Sequence, residues 1–158
     1  MSLDGKIEIV LASDQQIYAV QALWREYWDS FGLPEHFQNF ADECRTLPRV
    51  YAPPLGRLLL ALCQGEAAGT AALRPLSVNS CEAKRLYVRP QFRGLGIGNA
   101  LLRRLVHEAR TAGYLEMYGD TLQSMTAALK MYKRFGFSVV PPYSDKPTPG
   151  AIFLKLPL

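Results

Sequence analysis

Three glycines at alternate positions, Gly94, Gly96 and Gly98, have the clearest chemical potential in this chain. They follow a β-rich run over residues 82–89 and precede a helical run that continues to about Ala112. Glycines at a strand-to-helix junction leave the backbone bare, so several N–H groups and the positive end of the helix dipole face one point. The pattern therefore predicts an anion site with phosphate as its usual ligand; a glycine-rich turn without a ligand is the alternative.

The spacing of these glycines excludes two familiar phosphate loops. A dinucleotide fingerprint, G-x-G-x-x-G, would place its third glycine at Asn99 when counted from Gly94, or at Leu101 when counted from Gly96. A Walker A loop requires Gly-Lys followed by Ser or Thr, and none of these residue types follows a glycine here. The pattern that does fit is R-x-x-G-x-G, beginning at Arg93 and preceded by Val-Arg-Pro.

The run from Leu86 to Gly98, LYVRPQFRGLGIG, resembles the acetyl-CoA motif of the GCN5-related N-acetyltransferase (GNAT) family. The resemblance is specific from about Cys81 to Phe137. It implies an enzyme that moves an acetyl group from acetyl-CoA to a primary amine by direct attack in a ternary complex. A CoA-binding regulatory or sensor module without turnover is the alternative.

The resemblance also implies which residues hold the cofactor. Backbone groups of the fourth strand bind the pantetheine arm, and one of these amides polarises the thioester carbonyl as an oxyanion donor. The pyrophosphate lies on the amides of the glycine turn, with the Arg93 side chain nearby. The predicted cofactor-binding residues are Leu86, Tyr87, Val88, Arg93, Gly94, Leu95, Gly96, Ile97 and Gly98.

Tyr132 is the predicted general acid. The spacing of Met125, Ala128, Leu129 and Tyr132 places its ring on the apolar, sheet-facing side of a helix. The resemblance implies a tyrosine beside the CoA sulfur, where its hydroxyl can protonate the departing thiolate. A core tyrosine with a satisfied hydroxyl is the alternative.

Glu82 is the predicted general base. Strand alternation places Glu82, Lys84, Leu86 and Val88 on one face, and some family members carry their base at such a position. An ion pair of Glu82 with Lys84 or an arginine is the alternative. His36 and His107 are weaker candidates. Two histidines and three scattered cysteines give no cluster with metal-ligand spacing, so no metal site is predicted.

The elements that position these residues follow the order β-α-α-β-β-β-α-β-α-β-β. Apolar periodicity and Gly/Pro punctuation predict helices and strands at the positions given next. Strands are expected at 6–11, 57–63, 66–73, 81–89, 114–120, 137–140 and 151–156, and helices at 14–30, 34–45, 98–112 and 124–135. The resemblance implies an α/β (α+β) fold of GNAT type, with a single mixed, mainly antiparallel twisted sheet flanked by helices. It further implies that the fourth and fifth strands splay apart.

Length and composition agree with one enzyme domain over residues 1–158. The chain has 49% hydrophobic and 20% charged residues, which is typical of soluble globular proteins. No run approaches the roughly 20 apolar residues of a membrane span, and the start lacks the pattern of a secretory signal. Cys44, Cys63 and Cys81 form no Cys-x-x-Cys pair. Reduced thiols and a cytoplasmic location are therefore expected.

The net charge of +4 comes with basic residues gathered around the glycine turn and near Lys130 to Arg134. A phosphorylated cofactor explains this clustering as well as nucleic acid does, and nucleic acid is not the favoured partner. The predicted partner is a small-molecule or peptide amine, and a homodimer stays open. Tyr143, in the proline-rich loop 141–150, and the segment 31–37 are predicted to line the acceptor pocket, with Glu82 at its floor.

Overall fold

The computed structural model describes residues 6–34, 39–145 and 147–158. Its strands are β1 (Ile7–Leu11), β2 (Arg57–Cys63), β3 (Glu66–Pro75), β4 (Ser80–Val88), β5 (Glu116–Leu122), β6 (Ser138–Val140) and β7 (Ala151–Pro157). Its α-helices are α1 (Ile17–Asp29), α2 (Phe40–Arg45), α3 (Ile97–Thr111) and α4 (Thr126–Arg134). The predicted order of elements is confirmed.

All seven strands form one sheet in the order β1-β2-β3-β4-β5-β7-β6. The pairing of β4 with β5 is parallel, and the other pairings are antiparallel. β4 and β5 pair only from Ser80↔Glu116 to Ala83↔Gly119, although both strands continue beyond these residues. The two strands therefore diverge in the middle of the sheet, which confirms the predicted splay.

Helices cover both faces of the sheet. α3 has apolar residues at helical spacing, and its Leu101, Leu102 and Leu105 are almost fully buried against one face. On the other face, α1 contributes Leu23 and Trp24 to a second cluster. Within the described residues, no helix combines the length and the apolarity needed to cross a membrane.

Local turn chemistry explains most of the element boundaries. The β2–β3 hairpin turns at Gln64 (φ 52°) and Gly65 (φ 83°), the two positive φ values of a type I′ turn. The helix expected from Pro34 is shorter than predicted: α2 begins at Phe40, after Asn39 in the left-handed region. Pro34 is not helical, and its carbonyl accepts a hydrogen bond from the Trp28 indole at 3.1 Å.

A β-bulge in β4 corrects the predicted strand alternation. Arg85 has φ of 59°, and the register with β3 shifts there. The extra residue reverses the alternation, so the side chains after it point to the other face. Leu86 and Val88 pack in the α3 cluster, whereas Tyr87 joins the α1 cluster. The prediction that Leu86 and Val88 share a face with Glu82 is therefore wrong.

Candidate functional site

A groove of about 720 Å³ runs from residues 86–88 at the end of β4, past the glycine turn and the start of α3, and along α4. We call it the cofactor groove. Of the nine residues predicted to bind cofactor, only Leu95 does not line it; the Leu95 side chain packs into the α3 cluster. Sequence reasoning missed part of the lining, including Phe92, Asn99, Ser124, Met125, Thr126, Met131 and Arg134.

The glycine turn has the backbone geometry of an anion site. Gly94 and Gly96 both have φ of 82°, and a Cβ added to either would meet no atom within 4 Å. At the start of α3, the Ala100 amide donates to the Gly96 carbonyl. The preceding amides, from Ile97 to Asn99, therefore have no intrahelical acceptor and can bind an anion together with the helix dipole.

Two arginines near the turn differ in their contacts. Arg93 is exposed, and its Nε donates to the Val88 carbonyl at 3.0 Å, which connects the turn to the end of β4. Arg89 is held instead by Glu26 of α1, with Nη2 at 2.6 Å from Oε2. Of these two, Arg93 is therefore the cation presented to the groove, whereas Arg89 fixes α1 against the sheet.

The edge of β4 that faces β5 is unpaired with that strand beyond Ala83. Its opposite edge stays bonded to β3, through Tyr87↔Thr70 and Val88↔Gly69. Backbone N–H and C=O groups of an open strand edge can bind an extended ligand as an added strand would. This open edge, at residues 86–88, and the glycine turn line the same groove.

A smaller cavity of about 50 Å³ lies at the point of divergence, and we call it the fork cavity. It shares Tyr27, Phe31 and Met125 with the cofactor groove. Tyr132 lines it and is only 6% exposed, with its ring against Phe137 at 5.2 Å between centroids. Burial raises the pKa of the Tyr132 hydroxyl well above its usual value, so the group is protonated at neutral pH.

A third cavity, of about 510 Å³, lies beyond the fork, and we call it the distal cavity. Lys84, Asp120 and Thr148 line both the fork cavity and the distal cavity. The predicted acceptor-pocket residues divide between these spaces. Tyr143 and Glu82 line the distal cavity, whereas Phe31 lines the fork cavity and the groove. Residues 35–37 of the predicted segment, His36 among them, lie outside the described residues.

Glu82 is buried and fully engaged. Its Oε1 accepts from Arg74 Nε at 2.8 Å, and its Oε2 accepts from the Tyr143 hydroxyl at 2.8 Å. Burial by itself raises the pKa of this carboxyl, but the positive charges of Lys84 and Arg74 outweigh it and hold the pKa below its usual value. The ion pair with an arginine that the sequence left open is present, and it makes Glu82 a weak proton acceptor.

Arg85 fixes the bulge between the cavities. Its guanidinium is buried over the rings of Trp24, Trp28 and Phe40, at 5.0–5.5 Å from their centroids, and bonds to Glu43. Such a desolvated cation–π box stabilises one orientation of the side chain. Sequence reasoning missed this role, because neither the bulge nor the convergence of three distant aromatic rings has a local pattern.

Lys84 and Asp120 occupy the next positions after the last paired residues, Ala83 and Gly119. They are therefore the first side chains past the divergence on β4 and β5. Sequence reasoning did not single out Asp120. A carboxylate near a predicted strand end was the only available signal, and its meaning depends on the β4–β5 register.

The remaining candidates lie away from the cavities. His107 is exposed on α3. The three cysteines are buried, and burial raises the pKa of the Cys81 thiol to about 12. A buried thiol with so high a pKa contains almost no thiolate at neutral pH, so Cys81 is a poor nucleophile.

Comparison with known proteins agrees with this geometry. The model of the Acetyltransferase (GNAT) family matches residues 18–137. An uncharacterized N-acetyltransferase of Schizosaccharomyces pombe is 38% identical over 144 residues, covering 90% of this chain and 88% of the relative. A GNAT-family acetyltransferase of Staphylococcus aureus superposes with a TM-score of 0.79 at 20% identity, covering 94% of this chain and 97% of that chain.

A third similar protein was solved in complex with coenzyme A. This PaiA N-acetyltransferase of Thermoplasma acidophilum has a TM-score of 0.74 at 20% identity, with 100% of both chains covered. The chain thus belongs to the GNAT family of acetyltransferases, and the prediction of an acetyl-CoA-dependent N-acetyltransferase is confirmed at the level of that family.

Proposed function

We propose that this enzyme transfers the acetyl group of acetyl-CoA to a primary amine by direct attack in a ternary complex. One observation supports it most strongly: the cofactor groove, the fork cavity and the distal cavity follow one another, and neighbouring cavities share lining residues. A donor in the groove and an acceptor in the distal cavity can therefore meet at the fork without an acyl-enzyme step.

The cofactor groove would bind CoA through the predicted residues. The amides of Gly94, Gly96, Ile97 and Gly98 would hold the pyrophosphate, with Arg93 at the rim. The open edge of β4 from Leu86 to Val88 would pair with the pantetheine arm, and one of its amides would polarise the thioester carbonyl. In this arrangement Leu95 contributes backbone only.

Tyr132 would protonate the leaving sulfur. As the amine nitrogen bonds to the thioester carbon, the carbon–sulfur bond breaks, the thiolate takes the Tyr132 proton, and the phenolate regains a proton from the nitrogen. A raised tyrosine pKa alone would oppose this transfer. The thiolate leaves in the same buried space, however, and burial raises a thiol pKa too, as Cys81 illustrates. The two acids therefore stay comparable.

The distal cavity fits a small amine or the end of a peptide. Its volume of about 510 Å³ lies within the range of roughly 300–1,000 Å³ that is usual for small-molecule sites. Its walls carry charged side chains of both signs, Arg74 and Lys84 against Glu82 and Asp120. Such a lining suits a polar acceptor better than an aliphatic one.

Acetyl-CoA turnover tests the proposal. Thiol release from acetyl-CoA would be measured at pH 7 with spermidine, histamine, L-methionine, L-aspartate and the peptide Ala-Gly-Gly. We expect at least one amine to be acetylated, with intersecting rather than parallel double-reciprocal lines, because no acyl-enzyme forms. Parallel lines would contradict direct attack. Acetyl-CoA binding without turnover of any amine would support the sensor module instead.

A further inference from the structure

We propose that Asp120, rather than Glu82, accepts the proton of the acceptor amine. This inference rests on the proposed function, since it assigns a residue to the transfer described above. It begins from position along the strands. The ladder between β4 and β5 ends at Ala83↔Gly119, so Asp120 is the first side chain of β5 beyond the last pair.

Asp120 belongs to both spaces that the substrates would occupy. It lines the fork cavity together with Tyr132, and it lines the distal cavity together with Tyr143. Glu82 lines the distal cavity but not the fork cavity. An amine that enters from the distal side would move past the residues common to both cavities, Lys84, Asp120 and Thr148, before its nitrogen reaches a thioester held at the fork. A base must lie within hydrogen-bond reach of the proton that it removes, and of the two carboxylates only Asp120 lines the cavity where the substrates would meet.

The negative charge of Asp120 affects the pKa values of two tyrosines that line the fork cavity. Burial is the main cause that raises the pKa of Tyr27 to about 12, and the negative charge of Asp120 adds to it. Burial is also the main cause that raises the pKa of Tyr132, followed by the influence of Tyr27 and then by the negative charge of Asp120. A carboxylate that adds negative charge beside the proposed acid and lines the wall that an entering ammonium group would meet suits the role of proton acceptor.

Glu82 is less suitable because of its contacts. Its two oxygens are occupied by Arg74 and Tyr143, and its pKa is held down. Protonating Glu82 would leave the Arg74 guanidinium with a weakened partner inside the cavity wall. Asp120 is half-buried and lines both cavities together with Lys84, and its negative charge opposes the lowering of the Lys84 pKa by burial.

The proton balance is simple. The acceptor arrives as an ammonium ion, and one N–H proton passes to the Asp120 carboxylate, which gives a neutral amine and a carboxylic acid. A fork closed around both substrates would penalise charged forms, which lowers the cost of a proton transfer that yields two neutral groups. The amine then attacks, its second proton replaces the one that Tyr132 gives to sulfur, and Asp120 later releases its proton to solvent.

The test compares Asp120→Asn with Glu82→Gln in the acetyl-CoA assay, using the best amine of the panel named above. At pH 7 we expect Asp120→Asn to lower kcat/KM for the amine by roughly 10²–10⁴-fold, the usual contribution of general acid–base catalysis. Its thermal stabilisation by acetyl-CoA should match that of the parent, which would show that the fold and the groove are intact.

The pH profile separates a base from a merely structural residue. Without a base, Asp120→Asn depends on amine that is already neutral, so kcat/KM should rise about tenfold per unit from pH 6 to 9, whereas the parent should be flatter. Glu82→Gln should lower kcat/KM by a similar factor at every pH. Three outcomes would overturn the assignment to Asp120. Asp120→Asn could lower kcat/KM by the same factor at every pH, or it could keep activity within about threefold of the parent. Alternatively, Glu82→Gln could show the pH-dependent loss of kcat/KM instead. A parent enzyme that acetylates none of the amines would refute the proposed function itself.

Discussion

The cofactor groove and the distal cavity are built in different ways. The groove presents backbone: the amides of a turn with φ of 82° at Gly94 and Gly96, and the open edge of β4. The distal cavity presents side chains held by one another, with Glu82 bonded to both Arg74 and Tyr143. In the first region main-chain conformation makes the site, and in the second a network of contacts between distant residues makes it.

This difference bears on what each region recognises. Backbone amides and a helix dipole bind any phosphate of suitable shape, which fits a donor common to a whole family. Charged side chains at fixed positions discriminate between acceptors, because a mismatched partner leaves a buried polar group unsatisfied. Between the two regions lies the fork cavity, which Tyr132 lines and which shares other lining residues with both. The comparison can therefore be tested by substitutions at the fork, in the groove and in the distal wall.

The largest effect is expected at the fork, from Tyr132→Phe. This change removes only the hydroxyl, so acetyl-CoA binding should persist while kcat falls by roughly 10²–10⁴-fold. Tyr114→Phe is the matched control, because it also removes a buried tyrosine hydroxyl, one that bonds to the Leu55 carbonyl at 2.7 Å. An unchanged kcat for Tyr132→Phe, with chemistry shown to be rate-limiting, would make Tyr132 a packing residue.

The next largest effect is expected in the groove, from Gly96→Glu. The new side chain brings a negative charge to the phosphate position, so the stabilisation by acetyl-CoA should disappear. At a ligand concentration of 100 times Kd this stabilisation is worth about 2.7 kcal/mol. Calorimetry or a thermal shift would measure it.

Gly113→Glu provides the control for Gly96→Glu. Gly113 has φ of 92° and, like Gly96, open space where a Cβ would lie, but it follows the C-terminal end of α3, away from the groove. Backbone strain should lower the free energy of unfolding of both variants by a similar amount, about 1–3 kcal/mol. Only Gly96→Glu should lose the thermal stabilisation by acetyl-CoA. If acetyl-CoA stabilised both variants equally, the pyrophosphate would have to bind elsewhere.

A smaller effect is expected in the distal wall, from Tyr143→Phe. Loss of the hydrogen bond to Glu82 should weaken binding of the amine by about 1 kcal/mol, which corresponds to roughly a fivefold rise in KM for the amine. KM for acetyl-CoA should not change. Tyr143→Ala also removes the packing against Tyr118 and Phe153 and should raise the amine KM further. An effect confined to acetyl-CoA would contradict the division between the two regions.

The smallest effect concerns acid stability. The pKa of Glu82 is lower in the folded protein, because Lys84 and Arg74 outweigh the effect of burial. Its contribution to the free energy of unfolding is therefore complete above the unfolded pKa of about 4.3 and is lost as pH falls through the folded value. Below about pH 5, the thermal midpoint of Glu82→Gln should fall less steeply with decreasing pH than that of the parent. Glu116→Gln, in an exposed pair with Lys155, should barely alter it, and equal changes in both variants would contradict the role of the buried network.

The sequence by itself determined the order of the elements and located the glycine turn that lines the cofactor groove. Strands, helices and the type I′ hairpin follow from apolar periodicity and from turn residues, which act over a few positions. The glycine spacing indicated the anion site for the same reason: a positive φ and a bare helix N-terminus are local properties. Leu95 is the exception, because the direction of its side chain depends on the packing of α3 against the sheet.

Tertiary structure alone decided the bulge in β4 and the side-chain contacts at the fork and in the distal cavity. The Arg85 bulge reversed the alternation of β4 because one inserted residue turns every later side chain to the other face. Asp120 meets Lys84 only through the register of two strands whose residues lie more than thirty positions apart in the chain. Glu82 became an ion-paired wall residue because Arg74 and Tyr143 reach it from another strand and a distant loop. Contacts of this kind depend on chain packing, and no short-range pattern encodes them.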